Sequence, residues 1–199
     1  MAKVIILSGA GISAESGLST FRSEDGLWEG HEVTQVSTKE ALANNRSAVI
    51  KFYDQRRIEL EDKQPNHAHQ VIAQLKHKYP KDIAVITQNI DDLFEKAGLS
   101  ADEVMHLHGF AREVRCPHCD HIEDIGYKAL GRSQFNGKCS KCSYDKLRPN
   151  VVLFHELAPE PDSRKRKGGP MGQLHATETG GHQGCALLAY RSHSRCRPK

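Results

Sequence analysis

No stretch of this sequence approaches the roughly 18 to 20 consecutive apolar residues of a membrane-spanning helix. Its first residues also lack the charged, apolar and small-residue succession of a secretion signal. These absences predict a soluble, cytoplasmic protein with no membrane partner. Aromatic residues are scarce, 6% of 199 residues with a single tryptophan, so Trp28 and its neighbours Phe21 and Leu27 are costly groups to leave in water. Acidic residues are scarce at one end: residues 161–199 hold 8 Lys and Arg against 2 Asp and Glu, leaving 20 against 23 before them. The net charge of +3 therefore describes a tail on a slightly acidic body and identifies no partner.

What is present begins with a short apolar run, Val4 to Leu7, read as a buried first strand. Gly9, Gly11 and Ala14 follow it in the G-x-G-x-x-G/A spacing by which a strand turns into a dinucleotide-binding helix. Glycine lets backbone amides approach a pyrophosphate, and a helix N-terminus favours its charge. That motif alone is weak. Beyond it, the polar segment from Gly17 to Gly30 is too rich in Gly and Ser for a regular element, and its aromatics suggest a cover over a ligand.

The apolar spacing predicts a helix over Arg46 to Asp62, with Val49, Ile50, Tyr53, Arg57 and Leu60 near one face. Asn66 caps a second helix that Pro80 ends. Ile83 to Thr87 is another short strand, running into the polar Gln88, Asn89 and Asp91. A short helix, Asp92 to Ala97, leads to a third strand, Glu103 to Leu107, which delivers His108 and Gly109. Strands alternating with helices imply an α/β fold with a parallel sheet, in which ligands bind at the strands' C-terminal ends.

Cys116-Pro-His-Cys119 and Cys139-Ser-Lys-Cys142 are two C-x-x-C knuckles, each offering two thiolates from one tight turn. Four cysteine ligands leave no open position on a zinc ion, so the expected site is structural. Two disulfides are the alternative, disfavoured in an intracellular setting. Leu147 to Phe154 returns to strand composition and is expected to rejoin the first domain. From Pro161 onward there is no sustained period, and the tail is expected to be disordered. His182, Cys185, His193 and Cys196 are too dispersed for a compact second metal site, and Arg164 to Lys167 reads as a solvated basic run.

Together, GAGISAESGLSTFRSEDGLW, TQNIDD at Thr87 to Asp92, LHG at Leu107 to Gly109, the two cysteine pairs and RPNVVLF resemble the sirtuin family of NAD-dependent protein deacylases. The resemblance runs from about Lys3 to Pro159 and implies a Rossmann-like parallel sheet with an inserted small zinc-binding domain. The division would be 1–115 for the first part of the NAD-binding domain, 116–146 for the zinc insertion, 147–160 for the return and 161–199 for an aberrant tail. The implied activity removes acyl groups from protein lysines and yields nicotinamide and O-acyl-ADP-ribose, with NAD and one structural zinc ion as cofactors. The implied catalytic base is His108, an imidazole suited to accept a ribose proton near neutral pH. His106 would lie further from the sheet edge and be structural. Gly9, Ala10, Gly11, Phe21, Arg22, Gln88, Asn89 and Asp91 would bind NAD, and Cys116, Cys119, Cys139 and Cys142 the metal. Val151 to Phe154 would pair with the substrate peptide as a strand.

Tyr53 and Arg56 stand at the Y-x-x-R spacing of sirtuins that resemble the desuccinylating subgroup, where phenol and guanidinium grip one carboxylate from one helical face. Ser37 stands where that subgroup has a small residue, which leaves room for a long acyl chain. This implies action on succinyl- or malonyl-lysine beside acetyl-lysine, by a monomer with no specific nucleic-acid partner. Phe94 and His155 depart from the family pattern without removing a central group. After Pro159 the adenosine-binding segments of the family have no counterpart, and the tail reads as a shifted frame, so the resemblance leaves the activity of this exact chain open. Two other readings remain at this point. A classical NAD dehydrogenase needs an acidic residue ending a second strand about 20 positions after the glycine motif, where this chain has the Phe21 to Trp28 loop. A non-catalytic zinc-ribbon module that binds nucleic acid or protein needs basic residues around the cysteines, where charge is nearly balanced.

Overall fold

Val4–Ser8 (β1) lies at the centre of a sheet built by the short β-branched runs of the first half of the chain. A computed structural model of the protein describes residues 3–19, 27–28, 31–134, 136–156 and 186–188. After β1 the glycine motif winds into a 3-10 helix, Ala10–Ser16, ended by Gly17 in the left-handed conformation at φ 76°. Leu27–Trp28 (β2) and His31–Glu32 (β3) pair as a minimal hairpin. The helices Val33–Val36 (α1), Lys39–Asn44 (α2) and Arg46–Glu59 (α3) follow, with Thr38 and Asn45 accepting from the amides of Ala41 and Ala48 as caps. In His67–Lys78 (α4) the expected Asn66 cap is present, its side chain accepting from the amides of Ala68 and His69.

Ile83–Thr87 (β4) pairs parallel to β1, and after the short helix Leu93–Lys96 (α5), Val104–His106 (β5) pairs parallel to β4. The sheet that the alternating pattern implied is parallel over β5-β4-β1. Its core gathers Ile6, Ile83, Val85 and Val104 with Ile72 and Ala73 of α4 and Phe94 of α5. Such burial contributes about 1.5–3 kcal/mol for each large apolar side chain.

A second sheet is antiparallel. Gly109–Arg115 (β6) runs between Ile122–Asp124 (β7) and Arg148–Val151 (β8), in the order β7-β6-β8. The ladder that carries the cysteines therefore starts before Cys116, and β8 pairs with β6 instead of returning to the parallel sheet. Gly109 makes this turn possible. Its φ is 85°, and a Cβ there would lie 2.0 Å from the Asn150 carbonyl oxygen, so only glycine lets β6 and β8 cross so closely. In the tail, Ala186–Leu188 (β9) pairs antiparallel with β1, a strand where no regular element was expected. The rest of 157–199 lies outside the described residues, and with it the expectation of disorder there. No helix among the described residues is long and apolar enough to cross a membrane.

Candidate active site

The register of the parallel sheet aligns Ser8, Thr87 and His106 side by side at the C-terminal ends of β1, β4 and β5. The residues that follow these three ends, Gly9, Gln88 and Leu107 with His108, thereby reach one edge, where ligands bind in open α/β sheets. Ser8 donates to the Thr87 hydroxyl at 2.9 Å, and Thr87 in turn accepts from the Asn89 amide at 3.1 Å. A Cβ on Gly9 would stand 3.4 Å from the Gln88 side-chain oxygen, so glycine there leaves the amide of Gln88 room against the backbone. Gly11 is exposed, with open space where a side chain would be.

Asn89 and Asp91 are buried and joined through Ser13 of the glycine helix. Asn89 donates to the Ser13 hydroxyl at 3.0 Å and Ser13 donates to Asp91 at 2.9 Å. Burial pushes the Asp91 carboxyl above the usual carboxylate range, against the pull of Ser13 and the Leu93 amide. Ser16 Oγ on the same helix is buried without a hydrogen-bond partner among the described residues, an opening for a polar ligand atom. Glycine turn, buried amide and buried hydroxyls on one edge fit a dinucleotide.

The His106 side chain is 8% exposed, whereas His108 is exposed. The His108 carbonyl accepts from the Val152 amide at 2.9 Å, which sets the imidazole-bearing turn beside the segment after β8. That segment runs along Ser37 to Lys39: Phe154 donates to the Ser37 carbonyl and accepts from the Lys39 amide, at 2.9 and 3.1 Å.

Tyr53 is buried, its hydroxyl 2.8 Å from that of Ser37, and burial pushes the phenol up to about 12. Arg56 donates to Glu59 at 2.7 Å and lies 5.2 Å from the Phe52 ring centroid. The structure thus brings Tyr53 to Ser37 and Arg56 to Glu59, two contacts that spacing alone could not distinguish from one joint grip on a carboxylate.

The four cysteines of the two knuckles converge, every Sγ within 4.8 Å of the others. The Cys116–Cys142 and Cys119–Cys139 sulfurs are each 3.6 Å apart. A tetrahedron with zinc–sulfur bonds of about 2.3 Å has edges of about 3.8 Å, so this donor set fits zinc and excludes a disulfide pairing at these distances. Burial opposes a thiolate at Cys116, but the amides of Cys119 and His118 and the adjoining thiols outweigh it and bring the group down to about 7. The profile of the Sir2 family matches residues 9–167.

The chain belongs to the Sir2 family.

Among curated relatives, an NAD-dependent protein deacylase of Campylobacter jejuni is 49% identical over 159 residues, covering 80% of this chain and 66% of that protein. The crystal structure of a Sir2 homologue–NAD complex superposes with a TM-score of 0.65 at 40% identity, over 78% of this chain and 59% of that one. A mutant Sir2 homologue complexed with 2'-O-acetyl ADP-ribose gives 0.66 at 39%, over 78% and 60%. This Sir2 chain thus spans about 66% of the length of the curated relative. Phe21 and Arg22 lie outside its described residues.

Sequence reasoning missed the struts that tie the cysteine-bearing half of this Sir2 chain to its sheet. Arg57, only 1% exposed, donates to the Ala111 carbonyl at 2.7 Å, the Lys128 carbonyl at 3.2 Å and Asp54 at 2.6 Å. Asp54 also accepts from the Leu130 amide at 3.0 Å. Asp92, fully buried, accepts from the Tyr127 hydroxyl and pairs with Arg112 of β6 at 3.5 Å. An arginine on the apolar face of a predicted helix was the one available signal, since a buried guanidinium needs several acceptors. Ser13 was missed too, because its partners are about 80 residues distant and carry no local signature.

Proposed function

We propose that this chain carries the catalytic half of an NAD-dependent protein-lysine deacylase that releases nicotinamide and O-acyl-ADP-ribose. The observation that carries this is the alignment of three strand ends, which places the glycine turn, the Gln88–Asp91 loop and His108 on one edge, with the 151–154 segment hydrogen-bonded to His108. Bound NAD would supply a ribose carbon from which nicotinamide departs, the electrophile that the chain itself lacks. Gly9, Ala10 and Gly11 line the phosphate path, Gln88, Asn89 and Asp91 hold the nicotinamide and ribose side, and Phe21 and Arg22, outside the described residues, are assigned to NAD as well. His108, exposed at the edge, accepts the ribose hydroxyl proton on a ring nitrogen. An acylated protein segment pairs with Val151 to Phe154 as a strand, which gives affinity with little sequence preference. Cys116, Cys119, Cys139 and Cys142 hold one structural zinc ion.

We assign 1–115 and 147–160 to the NAD side and 116–146 to the zinc side, with β6 and β8 as the ladder by which the NAD side reaches β7, and read the protein as a cytoplasmic monomer. Beside acetyl groups, Tyr53 and Arg56 would admit succinyl or malonyl groups: both lie on α3, near the segment that flanks the substrate edge, and the Ser37–Tyr53 contact positions the phenol. Nicotinamide release from an acyl-lysine peptide at millimolar NAD is the test. We expect release that His108→Ala reduces by about 100-fold or more. No peptide-dependent release from the folded, zinc-loaded chain overturns the reading. Comparing kcat/KM for succinyl and acetyl peptides in wild type and Arg56→Met tests the acyl assignment, and an unchanged ratio sinks it.

A further inference from the structure

His106 meets a backbone carbonyl and a carboxylate, both acceptors. Its Nδ1 is 2.8 Å from the Asn89 carbonyl oxygen and its Nε2 is 2.9 Å from Glu95 Oε1. A neutral imidazole carries one N–H and one lone pair, so it would set a lone pair against one of these oxygens; only the imidazolium donates to both. The ring is 8% exposed, which leaves little water to take the second role. Glu95 is 17% exposed and lies in the single turn of α5.

The other surroundings agree. The charged groups facing the ring are Glu95 from α5 and Asp91 from the loop after β4, both acidic. From β6 it meets Phe110, with ring centroids 4.8 Å apart. Burial works against the charge of His106, yet the hydrogen bond and charge of Glu95, with the Asn89 carbonyl and Asp91, outweigh it and raise its pKa.

What the ring holds is the backbone of the loop assigned to nicotinamide. Asn89 is fixed at its amide by Thr87, at its side chain by Ser13 and at its carbonyl by His106. The last contact alone depends on which nitrogens of a titratable ring carry protons. We propose that His106 is a positioning residue: held as an imidazolium by Glu95, it clamps the Asn89 carbonyl and keeps the Asn89–Asp91 loop in the shape that binds the nicotinamide side. His106 touches no reacting atom; it acts through Asn89. The proposal rests on the NAD reading for its kinetic consequence, while its structural core stands apart from it.

Nitrogen-15 NMR of the histidine rings and amide exchange of the full chain test both parts. In wild type, His106 is expected to show two protonated ring nitrogens at pH 7. In wild type, the neutral ring formed above the pKa of His106 keeps its one proton toward the Glu95 carboxylate and turns a lone pair to the Asn89 carbonyl. Protection of the Asn89 and Leu93 amides should therefore fall at least tenfold above that pKa, and the KM for NAD should rise several-fold with kcat little changed, a response that a merely structural contact would not give. In Glu95→Gln, His106 is expected to titrate at least about one pH unit lower, and because the new NH2 can donate to Nε2 the neutral ring keeps its proton on Nδ1, so protection and KM should no longer change with pH. His106→Gln, whose amide can still donate to the Asn89 carbonyl, should also lose the pH dependence and keep most of the protection. A neutral His106 ring at pH 7 in wild type, or wild-type protection that ignores the titration of His106, overturns the proposal. If wild type shows the imidazolium and the slow exchange but no nicotinamide release, the NAD reading fails and the clamp stands.

Discussion

The parallel sheet buries eight apolar side chains, Ile6, Val85 and Phe94 among them, with no metal-binding group in the cluster, whereas the core under the cysteines consists of Val114, Ile125, Leu130 and Leu147 with Cys116 and Cys139. The first region closes on itself by removing apolar surface from water. The second has too few such side chains to do the same, and its two buried cysteines contribute fully only when their sulfurs share a cation. It also hangs on the first region by polar struts, Arg57 to Ala111 and Lys128, and Tyr127 to Asp92. The two regions should therefore fail under different insults.

The largest expected effect is metal removal. Structural zinc sites in small modules carry about 10–16 kcal/mol of apparent binding free energy at neutral pH. A strong chelator, or Cys139→Ala, should abolish slow amide exchange across Cys116 to Leu147 and leave it intact in β4. Equal loss in both regions would erase the distinction between them. Next comes the strut. Arg57→Met leaves Asp54 without its ion pair and two carbonyls without a donor, and should cost about 3–5 kcal/mol by urea unfolding; a cost under 1 kcal/mol, about that of a surface pair, would show that the regions are joined by other contacts.

The smallest effect falls on the apolar region alone. His69 is fully buried against Phe94, ring centroids 5.0 Å apart, and burial lowers its pKa to about 4. Because the folded value lies below the unfolded value of 6.5, its contribution to stability is complete above pH 6.5 and is lost as the pH falls toward 4. Between pH 7 and pH 5 the wild type should lose about 2 kcal/mol more than His69→Leu. Equal losses would place the acid sensitivity elsewhere.

What the sequence made legible was whatever is written locally. The runs at β1 and β4, the Asn66 cap and Pro80 stop of α4, and the C-x-x-C turns each specify their own conformation within a few residues. The strand after the zinc unit was legible as a strand, but not its partner: β8 pairs with β6 because Gly109 turns the chain at φ 85°, and a lone glycine announces no partner. For the same reason the candidate site was legible as Gly9, Asn89, Asp91 and His108, and illegible as a network. Ser13 between Asn89 and Asp91, and Glu95 behind His106, follow from the register of β1, β4 and β5, which sets polar side chains from distant segments against one another.

Gly109 has one more consequence. The residue before it carries the imidazole, and the strand it presses against continues into the edge that would receive the substrate backbone. The spacing between the His108 turn and the 151–154 segment is therefore fixed by a carbon that is not there. A methyl group there would press directly on the Asn150 carbonyl and push β6 and β8 apart.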